Sequence, residues 1–188
     1  MKRSITILAA ILAAAVLPST AHAEDYALRL GLEAPLYTHS KYNGQSNSYS
    51  IGDTLQPAIN LLLSYKPDPV LAFEIEAREG FAHTGDGRYD RTGTAIGPGL
   101  RLSAPLLPVY VRASLPIHVE PSPVVVGLRA AGGLEFSLIA FSIYLEVAVD
   151  TSLVGGSVNG LNGTSTGSNV GPFDLTTVSA GSGIWFKF

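Results

Sequence analysis

Two carboxylates two positions apart, Glu74 and Glu76, form a pattern that could act as a catalytic acid–base pair. Carboxyl groups a few ångströms apart can serve as proton donor and nucleophile, as they do in glycosidases. Arg78 follows on the same face of the segment, and pairing with arginine satisfies carboxylates that would otherwise be costly to bury. We therefore interpret both carboxylates as ion-pair partners and assign no catalytic residue.

Four histidines offer a second possible chemistry, because histidine with a carboxylate is the minimum set for a hydrolase or a metal site. His118 has Glu120 two residues further on, and His39 and His83 lie earlier in the chain. Nothing in their spacing forms an established metal motif. We expect no metal site and no cofactor.

Two stretches of connecting chain could contact phosphate. Segment 155–171 holds six glycines among Ser, Thr and Asn, but it lacks the lysine and following helix of a phosphate-binding loop, so we interpret it as a solvated loop. Arg88 and Arg91 could contact lipopolysaccharide phosphates. We interpret them instead as part of an ordinary charged loop, because Asp86 and Asp90 lie beside them.

Alternation of apolar and polar residues defines the elements that must position these side chains. Each alternating segment is long for a globular strand but suits a tilted strand that crosses a bilayer. No segment beyond residue 23 has the 18 or more uncharged apolar residues of a helical span. The sequence therefore predicts an all-β protein with eight strands, at 26–36, 55–65, 70–81, 95–106, 109–119, 124–136, 141–149 and 173–188.

The polar face of these strands separates a membrane barrel from a soluble sandwich. A water-facing surface should be rich in Lys, Thr and Glu, whereas this face combines charges with small residues such as Gly97, Gly99 and Gly133. Small residues suit a narrow barrel interior. We expect a buried charge network in the lumen, built from Arg29, Glu33, Glu74, Glu76, Arg78, Arg101, Arg112, Arg129, Glu135 and Glu146, with Asp150 as a further acidic member.

The connections between the predicted strands differ in length at the two ends. If Tyr26 begins at the periplasm, the periplasmic turns are short, at 66–69, 105–108 and 137–140. The outward connections are 37–54, 82–94, 120–123 and 151–172, and three of these four exceed every turn at the other end. This asymmetry is typical of outer-membrane barrels.

The first residues indicate export. Lys2 and Arg3 precede an apolar run at 5–17 and the small-x-small site Ala21-His22-Ala23. We expect a signal peptide at 1–23, cleaved after Ala23, and a barrel domain at 24–188. Cleavage leaves ten basic residues against 15 acidic ones, so no basic patch predicts a nucleic-acid partner. The absence of cysteine excludes disulfides and thiolate metal sites.

The chain resembles the small eight-stranded outer-membrane barrels of the OmpA and OmpX type. The likeness includes the signal peptide, the eight segments, the strand ending Gly133-Leu134-Glu135-Phe136 and the C-terminal alternation of Ile184, Phe186 and Phe188. It implies a closed antiparallel up-and-down transmembrane β-barrel in the bacterial outer membrane. It also implies that these three C-terminal residues form an assembly signal, which the outer-membrane insertion machinery reads.

The expected function is that of a monomeric outer-membrane barrel with a closed lumen and a structural or adhesion-like role. Its expected partners are outer-membrane lipids, including lipopolysaccharide. One alternative is a lipid-modifying enzyme, because lipid A deacylases and palmitoyltransferases are also eight-stranded; the deacylase histidine-x-serine arrangement is absent here, since Val119 and Glu120 follow His118. A second alternative is a soluble secreted β-barrel binding protein.

Overall fold

The computed structural model describes residues 26–42, 45–50, 57–83, 89–120, 124–138, 141–155 and 172–188. The expected signal peptide at 1–23 lies outside these ranges. No helix in the described part of the chain is long and apolar enough to cross a membrane. The described residues form ten strands: β1 (Tyr26–Tyr42), β2 (Gln45–Ser50), β3 (Ala58–Tyr65), β4 (Leu71–His83), β5 (Tyr89–Ser103), β6 (Val109–Ser114), β7 (Ile117–Glu120), β8 (Val125–Ser137), β9 (Phe141–Gly155) and β10 (Leu175–Lys187).

These ten strands make the wall of a closed eight-stranded antiparallel barrel. β2 and β3 both pair with β1 and together form the second barrel strand. β6 and β7 both lie between β5 and β8 and form the fifth. β10 returns to pair with β1 from Ala27 to Ser40, which closes the sheet. The predicted fold class is confirmed, because the sheet closes on itself through the antiparallel pairing of β1 with β10.

The break between β6 and β7 falls at Leu115 and Pro116. Proline lacks a backbone N–H and therefore interrupts a ladder. The wall nevertheless stays bonded, since the Leu115 amide donates to the Pro98 carbonyl at 2.9 Å and the Gly127 amide donates to the Pro116 carbonyl at 2.8 Å. The predicted strand at 109–119 is thus one barrel strand in two pieces.

The predicted strand ends are wrong at the end of the barrel opposite Tyr26 and Phe188, which we call the far end. β1 continues to Tyr42 and pairs with β2 across the predicted connection at 37–54. β4 reaches His83, β5 begins at Tyr89, and β9 reaches Gly155. Polar residues occupy both faces of the added part of β1, and the added part of β9 shows no regular alternation, so the sequence pattern does not mark these extensions.

Two further strand ends also differ from the prediction. The fourth barrel strand stops at Ser103 rather than at residue 106, because a turn begins at residue 104. The eighth begins at Leu175 rather than at residue 173, because Phe173 adopts a φ of 63° that a strand cannot include. Among the outward connections, residues 51–54, 84–88, 121–123 and 156–171 lie outside the described ranges, and with them Arg88 and most of the glycine-rich segment.

Candidate functional site

The alternation of the strands directs charged residues into the lumen and apolar residues outward. Along β6, the odd positions are exposed while Tyr110, Arg112 and Ser114 are buried. The register places large inward side chains opposite glycines, with Glu74 beside Gly99 and Glu76 beside Gly97. The small residues noted in the sequence therefore provide the space that the charged side chains fill.

Arg129 is the centre of the charge cluster nearest the far end. Its guanidinium lies 2.7 Å from a Glu33 oxygen, 2.7 Å from Asp150 and 3.3 Å from Glu146. Arg78 contacts two of these three acids: its guanidinium lies 3.1 Å from Asp150 and 3.4 Å from Glu33. Two arginines thus share two carboxylates, with Arg129 and Glu33 buried and Arg78 and Asp150 part-buried.

A second cluster lies around Glu146, deeper in the lumen. Arg29 donates to its carboxylate at 2.7 Å, and the Tyr110 hydroxyl donates to the same oxygen at 2.9 Å. Arg112 lies 3.5 Å from Glu146 and also forms a short ion pair with Glu76. Together with its contact to Arg129, the Glu146 carboxylate therefore joins four strands of the barrel, β1, β6, β8 and β9.

The third cluster lies at the terminal end of the barrel, where Phe188 is hydrogen-bonded to Tyr26, the first described residue. Arg101 contacts Glu74 at 3.2 Å and Glu135 at 2.7 Å, and Lys187 contacts Glu135 at 3.2 Å. Burial and the positive charge of Arg101 lower the pKa of Lys66, which lies in the turn after β3. This cluster forms the charged mouth of the lumen.

The structure therefore brings all ten residues of the expected network into ion pairs. Both carboxylates that the sequence interpreted as ion-pair partners contact arginine: Glu74 contacts Arg101, and Glu76 contacts Arg112. Arg78 pairs instead with Asp150 and Glu33, because its partners come from across the barrel and not from its own strand. Such pairs satisfy charges whose desolvation would otherwise cost several kcal/mol per ion.

Aromatic residues contribute to the site in a way that the sequence reasoning missed. The Arg29 guanidinium carbon lies 3.5 Å above the centre of the Tyr144 ring, and that of Arg101 lies 4.4 Å from the centre of the Trp185 ring. Tyr144 and Trp185 are fully buried. The alternation of the sequence predicts that both side chains face the lumen, but it does not predict that each packs on an arginine from another strand.

The lumen leaves little space. A recess beside Glu76, Arg78 and Pro116 has no room for a water molecule. A Cβ on Gly31 would overlap the Tyr144 hydroxyl, and one on Gly133 would lie 2.5 Å from the Tyr110 ring. Side chains therefore fill the barrel at these levels.

The three histidines in the described part of the chain lie on three different strands. His39 lies on β1, where its Nδ1 is 3.0 Å from the Ser48 hydroxyl. His118 is partly buried on β7, beside Ala95 and Val125. His83 ends β4. Among the described residues, no group of three or more His, Asp or Glu is placed to hold a metal.

The C-terminal residues of the expected assembly signal lie on the outer surface of the closing seam. Ile184 and Phe186 face outward from β10, while Trp185 between them is buried. The Phe188 amide donates to the Tyr26 carbonyl at 3.0 Å. The last residue of the chain is thereby bonded to the first described one.

A closed eight-stranded barrel with a charged interior and an apolar exterior is the fold of the small outer-membrane barrels. Among solved structures, Neisserial surface protein A (NspA) is similar over 87% of this chain and 97% of its own, with 12% sequence identity and a TM-score of 0.55. The outer membrane protein OprG from Pseudomonas aeruginosa matches 88% of this chain and 96% of its own, at 10% identity and a TM-score of 0.42. No family model and no curated protein matches the sequence.

Proposed function

We propose that the chain is an exported integral protein of the bacterial outer membrane, a monomer whose lumen is closed by ion pairs and whose role is structural or adhesion-like. In this proposal residues 1–23 form a signal peptide cleaved after Ala23, and the terminal end of the barrel faces the periplasm. The lipid partners are phospholipid and lipopolysaccharide.

The outward surface carries this proposal. Leucine, isoleucine, valine and phenylalanine side chains cover it, and mid-strand examples such as Ile75, Val111 and Leu145 are each more than half exposed. In water, contiguous apolar surface of this extent would drive association. In a bilayer the same surface is solvated by hydrocarbon.

The distribution of charge argues against a soluble barrel that binds a ligand inside. Such a binder needs an open and mostly apolar cavity, whereas this interior is filled by arginine and carboxylate side chains.

Extraction of membranes with carbonate or urea tests the location directly. An integral barrel stays in the pellet and migrates faster on an unboiled SDS gel than after boiling; release into the wash would refute the proposal.

The ion-paired interior leads to the prediction that the protein forms no stable ion channel. Eight strands enclose a space that side chains can fill, and here the pairs cross it at three levels. Planar-bilayer recordings with the refolded protein should show no large, long-lived conductance steps. Such steps in the wild-type protein would contradict a closed lumen.

A lipid-modifying enzyme on the same scaffold is the rival function. One observation favours it, since His39 and Ser48 form a hydrogen-bonded pair at the far end of the barrel. A serine nucleophile also needs a group that orients the histidine, and the cross-strand pair alone does not supply one. Incubation with radiolabelled lipid A decides the matter: acyl release by the wild type and its loss in Ser48→Ala would establish the enzyme.

A further inference from the structure

The apolar outer surface reaches further at the terminal end on one side of the barrel than on the other. On the β1–β3 side it ends in two tyrosines, Tyr26 and Tyr65, whose ring centres lie 5.1 Å apart. The turn that follows is Lys66-Pro67-Asp68-Pro69. Tyrosine followed by charge marks a membrane–water boundary.

On the β5–β6 side no such boundary is present. The connecting turn is Pro105-Leu106-Leu107-Pro108, and segment 102–111 carries no charged residue. Leu106 is 95% exposed and Leu107 is 63% exposed. Two leucines thus occupy the position that charged residues occupy in the turn after β3.

The exposure of these leucines is built into the turn. The Ala104 amide donates to the Val109 carbonyl at 3.0 Å, and the Leu107 amide donates to the Ala104 carbonyl at 3.2 Å. The proline ring fixes φ at both ends of the turn. The Pro108 carbonyl also accepts a hydrogen bond from the Glu135 amide on β8 at 2.7 Å. The backbone therefore holds both side chains outside the barrel.

The exposed leucines continue into the neighbouring strand. β6 pairs directly with β8, where Phe136 faces outward and Leu138 follows, each about half exposed. We call Leu106, Leu107, Val109, Phe136 and Leu138 the apolar rim. A single exposed leucine needs no explanation, but a continuous apolar surface marks an interaction site.

We propose that the apolar rim is immersed in the inner leaflet of the outer membrane, in contact with phospholipid, so that the barrel lies deeper on this side than at Tyr26 and Tyr65. This inference rests on the proposed membrane location. Phospholipid is the occupant that fits, because Val109 and Phe136 also belong to the outward face of the strands and no charged side chain separates them from the turn. Apolar side chains at such a depth contact the boundary between headgroups and acyl chains.

The chain contains no cysteine, so a single introduced cysteine can carry a fluorophore at one chosen site. Three labelled variants are compared: Leu106→Cys in the rim, Pro67→Cys in the charged turn and Leu145→Cys in the middle of the outward face. Each is refolded into phosphatidylethanolamine–phosphatidylglycerol vesicles and checked for heat-dependent gel mobility. Quenching is then measured with doxyl-labelled lipid and with iodide present on both sides of the bilayer.

We expect doxyl lipid to quench the labels at positions 106 and 145 severalfold more than the label at position 67, and iodide to show the reverse order. If the label at position 106 responds as position 67 does while position 145 is quenched by lipid, the rim is in water and the proposal is overturned, although the membrane location stands. If iodide quenches all three labels equally, the membrane location itself is refuted.

Discussion

Replacement of Arg129 by methionine tests whether the lumen is held together by desolvated ion pairs. Arg129 is almost completely buried and contacts Glu33 and Asp150 at 2.7 Å each and Glu146 at 3.3 Å. Methionine keeps an unbranched apolar stem but is shorter and carries no charge, so the substitution removes the cation while keeping part of the packing. The buried Glu33 and Glu146 and the part-buried Asp150 then each lose a partner.

Loss of one member of a buried pair costs about 3–5 kcal/mol, because the other charge remains desolvated. Arg78 still lies 3.1 Å from Asp150 and 3.4 Å from Glu33, and Arg29 still contacts Glu146 at 2.7 Å. These contacts compensate in part, so we expect a loss near the lower end, about 3 kcal/mol. That corresponds to a change of roughly a hundredfold in the unfolding equilibrium.

The free energy of unfolding is measured by urea titration of the protein refolded in lipid vesicles. The single tryptophan, Trp185, is buried in the lumen and provides the fluorescence signal. The matched control is Lys41→Met, which removes a positive charge that is exposed at the far end. Water solvates that charge already, so its removal should have little effect.

A second variant separates charge from packing. Combining Arg129→Met with Glu33→Gln removes one of the carboxylates that lost its partner. The double variant should therefore lose less free energy of unfolding than the two single variants lose in total. If Arg129→Met costs no more than Lys41→Met, the lumen charges are solvated by water and the ion-paired interior is wrong.

Three further changes test other parts of the structure. Leu145→Arg places a charge on the outward face near the middle of β9 and should cost about 2–4 kcal/mol in vesicles; a harmless substitution would refute contact with lipid. Gly133→Ala should destabilise the barrel by displacing Tyr110, whose ring would lie 2.5 Å from the new Cβ, whereas in Gly132→Ala the nearest atom is 3.9 Å away; equal urea midpoints would contradict this. Deletion of Phe188 should lower the yield in the outer membrane while export and signal cleavage continue, and unchanged surface levels would exclude an assembly role.

The sequence alone determined which residues face the lumen. Successive side chains in a strand point to opposite faces, so a charge such as Arg101 between Leu100 and Leu102 had to lie inside once the leucines faced outward. The number of barrel strands followed from the same pattern. The far-end extension of β1 was missed because both of its faces are polar, and a strand without an apolar face leaves no periodic signal.

The tertiary structure decided which charges meet. Arg29 and Glu146 are 117 positions apart, and Arg78 contacts Asp150 rather than the carboxylates of its own strand. Side chains on one face of a strand are parallel and point at the opposite wall. Their partners therefore depend on the tilt and stagger with which the sheet closes, and this closure is a property of the whole barrel that no single strand contains.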